Sequence, residues 1–414
     1  MTKGNHYTKN NECSIETVLS MQAGGSLGAY ECGAFKSLVK HNIWFDIIAG
    51  NSIGSVNAAI IVDAIKKAQH NNNYEHTKDD NKSKLLKEAA KKLEHFWLDS
   101  ADNITPRFLP FKVRSYISAG TTFVFGHPYA LDPIWFYPGG PLLNNGFTSP
   151  YLYDTLKFKQ VLNKTINFEN LLAYNNDDKN DDTNDRNKNS YAKNDVSPRL
   201  ILSGTDVQTA ENVIFDTNTM DITAEQICGC IAYPFYGLKW TKIDDRYIWD
   251  GGLINSTPLT AVIRKSPYKE KRVFVIDAFP TYQQKLPNNF AETWHRARDI
   301  IFRDKSDSVM DVSDYVKSIF SALEEMHDFI MHNINVKQDK KVKDRFENLE
   351  KKYSDISSRR GRIINDLIHI KRNEDEKSHH SLFEDWDYSI ETIRELIRQG
   401  EKDADSALED RKSF

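Results

Sequence analysis

Long apolar runs are missing from this chain: no stretch of its 414 residues approaches the length of a membrane span. Any membrane would therefore be met from its surface. The opening residues Met1 to His6 are polar and carry no signal-peptide core. The default expectation is a cytoplasmic or peripheral membrane protein, with export by a route lacking a cleavable signal left open. Cysteine is scarce and scattered, at Cys13, Cys32, Cys228 and Cys230, which gives neither a disulfide framework nor a zinc spacing. Cys228 and Cys230 lie in an apolar helical stretch and are expected to be buried thiols. A large excess of one charge is also absent: 55 Lys and Arg against 59 Asp and Glu leave a net charge of -4. That balance offers no polyphosphate-binding surface, so nucleic acid is not an expected partner. What remains is 39% hydrophobic and 28% charged residues, the composition of a globular enzyme with room for a large core.

Two glycine-rich turns follow one another near the N-terminus. A strand from Ile15 to Met21 runs into Ala23-Gly24-Gly25-Ser26-Leu27-Gly28, and a helix follows from Ala29 to about Lys40. A second apolar strand near Trp44 to Ala49 ends in Gly50-Asn51-Ser52-Ile53-Gly54 and again gives way to a helix, to about Ala68. Strand, helix, strand, helix in so short a span implies parallel βαβ packing with right-handed crossover. The G-x-S-x-G turn holds a serine hydroxyl exposed above the end of a sheet. Alone, it also describes a tight turn with an incidental serine.

Acyl transfer to a serine needs a base for the hydroxyl proton and donors for the developing oxyanion. Backbone N–H groups of a glycine-rich turn at a helix N-terminus are such donors. Gly24, Gly25 and Ser26 fit that role, with Gly28 allowing the turn. In a parallel sheet their strand can lie beside the one ending at Gly50, so that both turns open at one carboxyl edge. Two other readings fare worse. An α/β-hydrolase places several strands before its elbow, whereas only about fifty residues precede Ser52. A dinucleotide fingerprint requires an acid closing the second strand, but Asp46 begins that strand and Ser52 occupies the turn.

Further along, Asn71 to Lys84 and Asn175 to Asn194 are polar, asparagine-rich tracts expected to be solvated insertions. Between them, Pro106 to Tyr153 is rich in aromatics and proline and reads as a structured loop region, lining an apolar channel, touching lipid, or packing its own small core. Strands return at Leu200 to Gly204 and Val213 to Asp216, then as a hairpin of Lys239 to Ile243 and Tyr247 to Trp249 closing on Asp250-Gly251-Gly252. Val273 to Asp277 reads as a fully buried parallel strand. From about Leu286 the pattern is helical. One seam runs through Val309, Val312, Val316, Ile319, Leu323, Met326 and Ile330. A second runs through Val342, Phe346, Leu349, Tyr353, Ile356, Ile363, Leu367 and Ile370, with Arg360 at one step. The expectation is an antiparallel helical hairpin joined near Asn333 to Lys341, then a last helix from Tyr388 to Gln399.

Taken together, Gly24-Gly25-Ser26-Leu27-Gly28, Gly50-Asn51-Ser52-Ile53-Gly54 and Asp250-Gly251-Gly252 resemble, in order and spacing, the three signatures of the patatin-like phospholipases. Ser149-Pro150-Tyr151-Leu152-Tyr153-Asp154-Thr155, Trp249 to Leu253 and the helical C-terminal part look like one bacterial-type subgroup of that family. Two positions depart: Ala23 stands where the oxyanion signature usually begins with another glycine, and Leu27 where many members carry Lys or Arg. The resemblance implies a Ser–Asp dyad without histidine, with Ser52 as nucleophile and Asp250 as its base and proton donor. Gly251 and Gly252 would aim the carboxylate inward. An ordinary aspartate is a weak base at neutral pH, and partial burial would raise it toward the working range. His295 and the other histidines are expected to be structural or exposed.

These readings give an α/β chain: a patatin-like three-layer α/β/α arrangement with a mostly parallel central sheet, plus a C-terminal helical extension. Its expected parts are an N-terminus over 1–14, a catalytic domain over 15–285 with insertions near 71–84 and 175–194, and the extension over 286–414. The expected reaction is hydrolysis of lipid acyl esters through an acyl-Ser52 intermediate, with no metal or organic cofactor, on a lipid or acyl-ester substrate at a membrane surface. A catalytically weak scaffold binding a partner through its helical hairpin, and a thioesterase or general carboxylesterase, stand as alternatives. Oligomeric state is left open.

Overall fold

The computed structural model describes residues 15–72, 79–102, 105, 108–127, 130–135, 149–173, 197–254, 257–283, 286–303, 306–333, 340–372 and 384–412. The first half holds β1 (Glu16–Ala23), α1 (Gly28–Lys40), β2 (Ile47–Ser52), α2 (Ile53–Asn72), α3 (Asp79–Ser100) and α4 (Phe111–Phe125). A two-stranded ribbon, β3 (Asp132–Pro133) with β4 (Tyr153–Asp154), and α5 (Leu156–Thr165) lead to β5 (Arg199–Asp206), β6 (Asn212–Asp216) and α6 (Ala224–Ile231). Then come the hairpin β7 (Thr241–Ile243) and β8 (Arg246–Asp250), α7 (Leu259–Lys265) and β9 (Lys271–Asp277). The chain ends with α8 (Phe290–Phe302), α9 (Ser306–Asn333), α10 (Lys340–Ser358), β10 (Ile364–Lys371) and α11 (Ile390–Lys412).

The main sheet runs β10-β9-β1-β2-β5-β8-β7, with β6 also on β5. The five strands from β10 to β5 are parallel to their neighbours, and β6, β7 and β8 add antiparallel pairs. Alternate side chains feed two cores. Leu19, Met21, Ile48, Leu200, Leu202, Phe274 and Ile276 face α1, α2, α3, α6 and α11. Val18, Ile47, Ala49, Ile201, Val273 and Val275 face α7 and the start of α9. The result is three layers, helix on sheet on helix.

Several expectations change in detail. The period through Ile363, Leu367 and Ile370 does not continue a helix; Ile363 leads into strand β10, which holds Leu367 and Ile370 and pairs with β9 in the main sheet. A strand covered on both faces is apolar on both, and a bulge between Ile364 and Asp366 breaks its alternation, so its spacing mimics a helix. The other long elements described beyond Leu286, α8, α9, α10 and α11, are helices. The hairpin of α9 and α10 is held by side chains: the His327 ring stacks on Tyr353 at 4.0 Å, and Arg360 reaches Glu324 at 2.7 Å. The expected seam is not closed, since Val312, Ile319, Met326, Leu349 and Ile356 are exposed.

Of the polar tract Asn71 to Lys84, its ends belong to α2 and α3 and the rest lies outside the described residues. The tract Asn175 to Asn194 lies wholly outside them. The proline-rich stretch contains a full helix, α4, because its prolines fall beyond the helix ends. This helix is turned inside out. Its buried Ser115 and Ser118 hydroxyls donate to the Asp387 and Asp102 carboxylates, while Val113, Tyr116, Ile117, Phe123 and Val124 are exposed. Cys228 and Cys230 are buried in α6 as expected.

Candidate active site

Register brings the sequence motifs together. Ala23 at the end of β1 lies opposite Ser52 at the end of β2, so the two glycine-rich turns leave the sheet side by side at its carboxyl edge. On β5, β6 occupies one edge; β2 and β8 share the other in succession. Gly50 pairs with Leu202, and Asp250 pairs with Gly204. Because β2 is parallel to β5 and β8 antiparallel, their C-terminal ends meet head-on at Ser203. The Ser203 hydroxyl donates to Asn51 Oδ1, and a β-carbon at Gly251 would lie 2.4 Å from the Ser203 carbonyl oxygen.

Ser52 sits at the elbow with φ of +51°, a left-handed conformation that side chains other than glycine adopt at a cost. The flanking glycines have no alternative: a β-carbon at Gly50 would meet the Gly54 carbonyl at 2.4 Å, and one at Gly54 would meet the Met21 carbonyl at 2.4 Å. Chain packing thus forces the bend that presents Ser52, which is half-buried at the pocket. It is followed at once by α2, so the positive dipole end of that helix lies at the serine.

Asp250 closes β8 and is fully buried. Its Oδ1 accepts the Gly252 amide at 2.7 Å, and its main-chain carbonyl accepts from the Thr205 hydroxyl at 2.9 Å. Burial pushes the carboxyl up to about 7, against the opposing pull of the Ser52 hydroxyl and the Gly252 amide. Asp250 Oδ2 is buried and has no hydrogen-bond partner of ordinary geometry among the described residues.

The turn after β1 is a short 3-10 segment, Gly25–Leu27, from which α1 grows directly. Gly25 has φ of +54°. Ser26 and Leu27 are buried, and the Ser26 hydroxyl donates to the Glu384 carbonyl at 2.6 Å. Leu27 therefore packs inward, at a position where a cation would have been buried.

A cavity of about 70 Å³ opens on Ser52, Gly24 and Gly25 and is walled by Leu131, Phe158, Ile231, Tyr233, Tyr236, Leu238, Phe279 and Phe302. Part of its wall comes from the far end of the chain: Asp385, Trp386 and Tyr388. None of the lining residues is a histidine. Asp385 is held by Arg298 at 2.6 Å and by the Tyr236 hydroxyl, and Trp386 packs edge-on to Phe123 and Tyr236. From the sequence, Asp385 and Trp386 carry no expected role, and Tyr388 is expected only as the start of the last helix. Their signal, two aromatics among acids in Glu384-Asp385-Trp386-Asp387-Tyr388, resembles a solvated loop. Among the described residues no group of His, Cys, Asp and Glu could hold a metal ion.

A model of the patatin-like phospholipase family matches residues 19–263, more than half of the chain. The chain belongs to the patatin-like phospholipase family. Its members are lipid acyl hydrolases, and the matched span holds all three patatin-like signatures. The crystal structure of VipD from Legionella pneumophila is similar over 96% of this chain and 67% of that chain, at 13% identity and a TM-score of 0.33. No curated protein matches the sequence. The patatin-like match ends at residue 263, so β9, β10 and the wall formed by Asp385, Trp386 and Tyr388 lie beyond it.

Proposed function

We propose that this protein hydrolyses acyl esters of lipids through a Ser52–Asp250 dyad. Ser52 attacks the ester carbonyl carbon while Asp250 takes the hydroxyl proton. The tetrahedral intermediate collapses, Asp250 returns the proton to the leaving alcohol, and the acyl group stays on Ser52. Water, deprotonated by Asp250, then releases the fatty acid and restores the enzyme. The amides of Gly24, Gly25 and Ser26 stabilise the oxyanion in both halves, aided by the α1 and α2 dipoles.

The observation that carries this reading is the Asp250 carboxyl, pushed by burial to about 7 beside a serine on a strained elbow. A base poised there is half-deprotonated at neutral pH and strong enough to accept a proton. The apolar walls of the cavity suit an acyl chain. The exposed apolar face of α4 supports action at a lipid surface, since the Trp135 indole donates to the Val124 carbonyl and the same helix packs on Trp386. No helix among the described residues is long and apolar enough to cross a membrane. In this reading residues 15–285 supply the chemistry, and the part beyond 285 completes the sheet and the substrate wall.

The test is labelling by a fluorophosphonate together with hydrolysis of a soluble acyl ester and of phospholipid vesicles, in wild type, Ser52→Ala and Asp250→Asn. Labelling and turnover by wild type alone are expected. Hydrolysis that survives Ser52→Ala would overturn the proposal.

A further inference from the structure

Behind the candidate oxyanion turn lies a buried network that the chemistry above does not use. Asn57, one turn into α2 beyond Ser52, is completely buried, as is Glu31 in the first turn of α1. Asn57 Nδ2 donates to the Gly28 carbonyl at 2.9 Å and to Glu31 Oε2 at 2.7 Å. Its Oδ1 accepts from Trp97 Nε1 of α3 at 3.0 Å. An indole N–H can only donate, so Trp97 fixes which end of the amide is oxygen, and both Asn57 protons are committed to α1. Trp97 is itself seated by Gly28, where a β-carbon would lie 2.4 Å from the indole ring. The start of α1, which the 24–27 turn runs into, is thereby fastened to the start of α2, which follows the nucleophile.

Glu31 has no ion-pair partner among the described residues, and burial pushes its carboxyl up to about 8, so it is mostly neutral at pH 7. That suits its place. A full negative charge behind the turn would oppose the negative charge developing on the acyl oxygen, whereas a neutral carboxyl still accepts from Asn57.

We infer that Asn57, backed by Glu31, is a positioning residue that sets the 24–27 turn at the separation from Ser52 that oxyanion stabilisation requires. The inference rests on the serine hydrolase reading given above. A displacement of about 1 Å at such a site costs on the order of 100-fold in rate. Nothing in the network touches substrate, so the cost should fall on kcat and leave KM nearly unchanged.

The experiment compares wild type with Asn57→Ala, Glu31→Ala, Glu31→Gln and Trp97→Phe, using kcat and KM on a soluble acyl ester and amide hydrogen exchange over residues 22–28. Asn57→Ala is expected to lower kcat by about 10- to 100-fold with KM within about twofold, and to speed exchange in the turn. Glu31→Gln, which keeps an acceptor for Asn57, should recover most of the rate that Glu31→Ala loses. Trp97→Phe removes the donor to Oδ1 and keeps an aromatic ring, although it gives up the indole atoms packed on Gly28, so it carries the test if Asn57→Ala does not fold. An unchanged kcat in the folded variants, equal losses in Glu31→Gln and Glu31→Ala, or unaltered exchange over 22–28 would overturn the inference. Ser52→Ala is run alongside. If it hydrolyses the ester as well as wild type, the hydrolase reading fails while the exchange data still decide whether Asn57 holds the turn.

Discussion

The main-chain carbonyl of Asp385 lies against Gly25 so closely that a β-carbon there would be 2.0 Å from its oxygen. The far end of the chain thus rests on the candidate oxyanion turn, pinned by Ser26, Arg298 and Tyr236. A Gly25→Ala variant must move one partner or the other, and it must also hold alanine at φ of +54°. Backbone incompatibility of this kind destabilises by about 2 kcal/mol or more. The expected outcome is a lower melting temperature and loss of most ester hydrolysis. Retention of wild-type kcat by Gly25→Ala would show that neither the turn nor its contact with Asp385 matters to the reaction.

The pH dependence of hydrolysis tests the proposed base. As the proposed base, Asp250 would act only when deprotonated, and burial pushes its carboxyl up to about 7. Activity should rise through that region and level off above it. On the acid side kcat/KM should fall by about tenfold per pH unit. A profile already flat at pH 5 would mean that the working base has an ordinary carboxylate pKa and is not the buried Asp250.

How much of this was legible in the sequence depends on how locally each feature is encoded. The two glycine turns and Asp250-Gly251-Gly252 are contiguous, and their close approaches admit only glycine, so motif and geometry coincide. Parallel β1 and β2 could be read from strand-turn-helix repetition, and β9 from its unbroken apolar run. The head-on meeting of β2 and β8 along β5 could not, since it depends on register between strands about 150 and 200 residues apart in sequence. Strand β10 was masked by apolar residues on both faces. Helix α4 hid among prolines, with serines inside and valine and aromatics outside, the reverse of the usual amphipathic pattern. Trp386 and Tyr388 line the cavity from a segment more than 330 residues beyond Ser52, a proximity that no local pattern encodes.

Backbone strain at the elbow has a measurable signature. Ser52 holds φ of +51° without being glycine. Both Ser52→Ala and Ser52→Gly remove the hydroxyl, but only glycine relieves the strain. Ser52→Gly should therefore be more stable than Ser52→Ala by about 1 kcal/mol, both being inactive. Thermal or urea unfolding of the pair checks this. Equal stabilities would indicate that the elbow relaxes when the serine side chain is lost.

The buried Glu31 should also shape the dependence of stability on pH. Its carboxyl is raised from 4.5 to about 8 in the folded chain, chiefly by burial, with Asn57 and the Gln22 amide pulling the other way. Between those two values the folded protein keeps a proton that the unfolded chain has given up. Bound protons then favour the folded state, so this group's contribution to stability is full below about pH 4.5 and is lost as pH rises to about 8. Asp250 adds the same sign over the window from 3.8 to about 7. Glu31→Gln removes the titration while keeping an acceptor for Asn57. Its melting temperature should fall less steeply than that of wild type between pH 5 and pH 8, and the two curves should diverge most at the alkaline end. Parallel curves would mean that Glu31 is already ionised in the folded protein, and the neutral carboxyl behind the oxyanion turn would have to be abandoned.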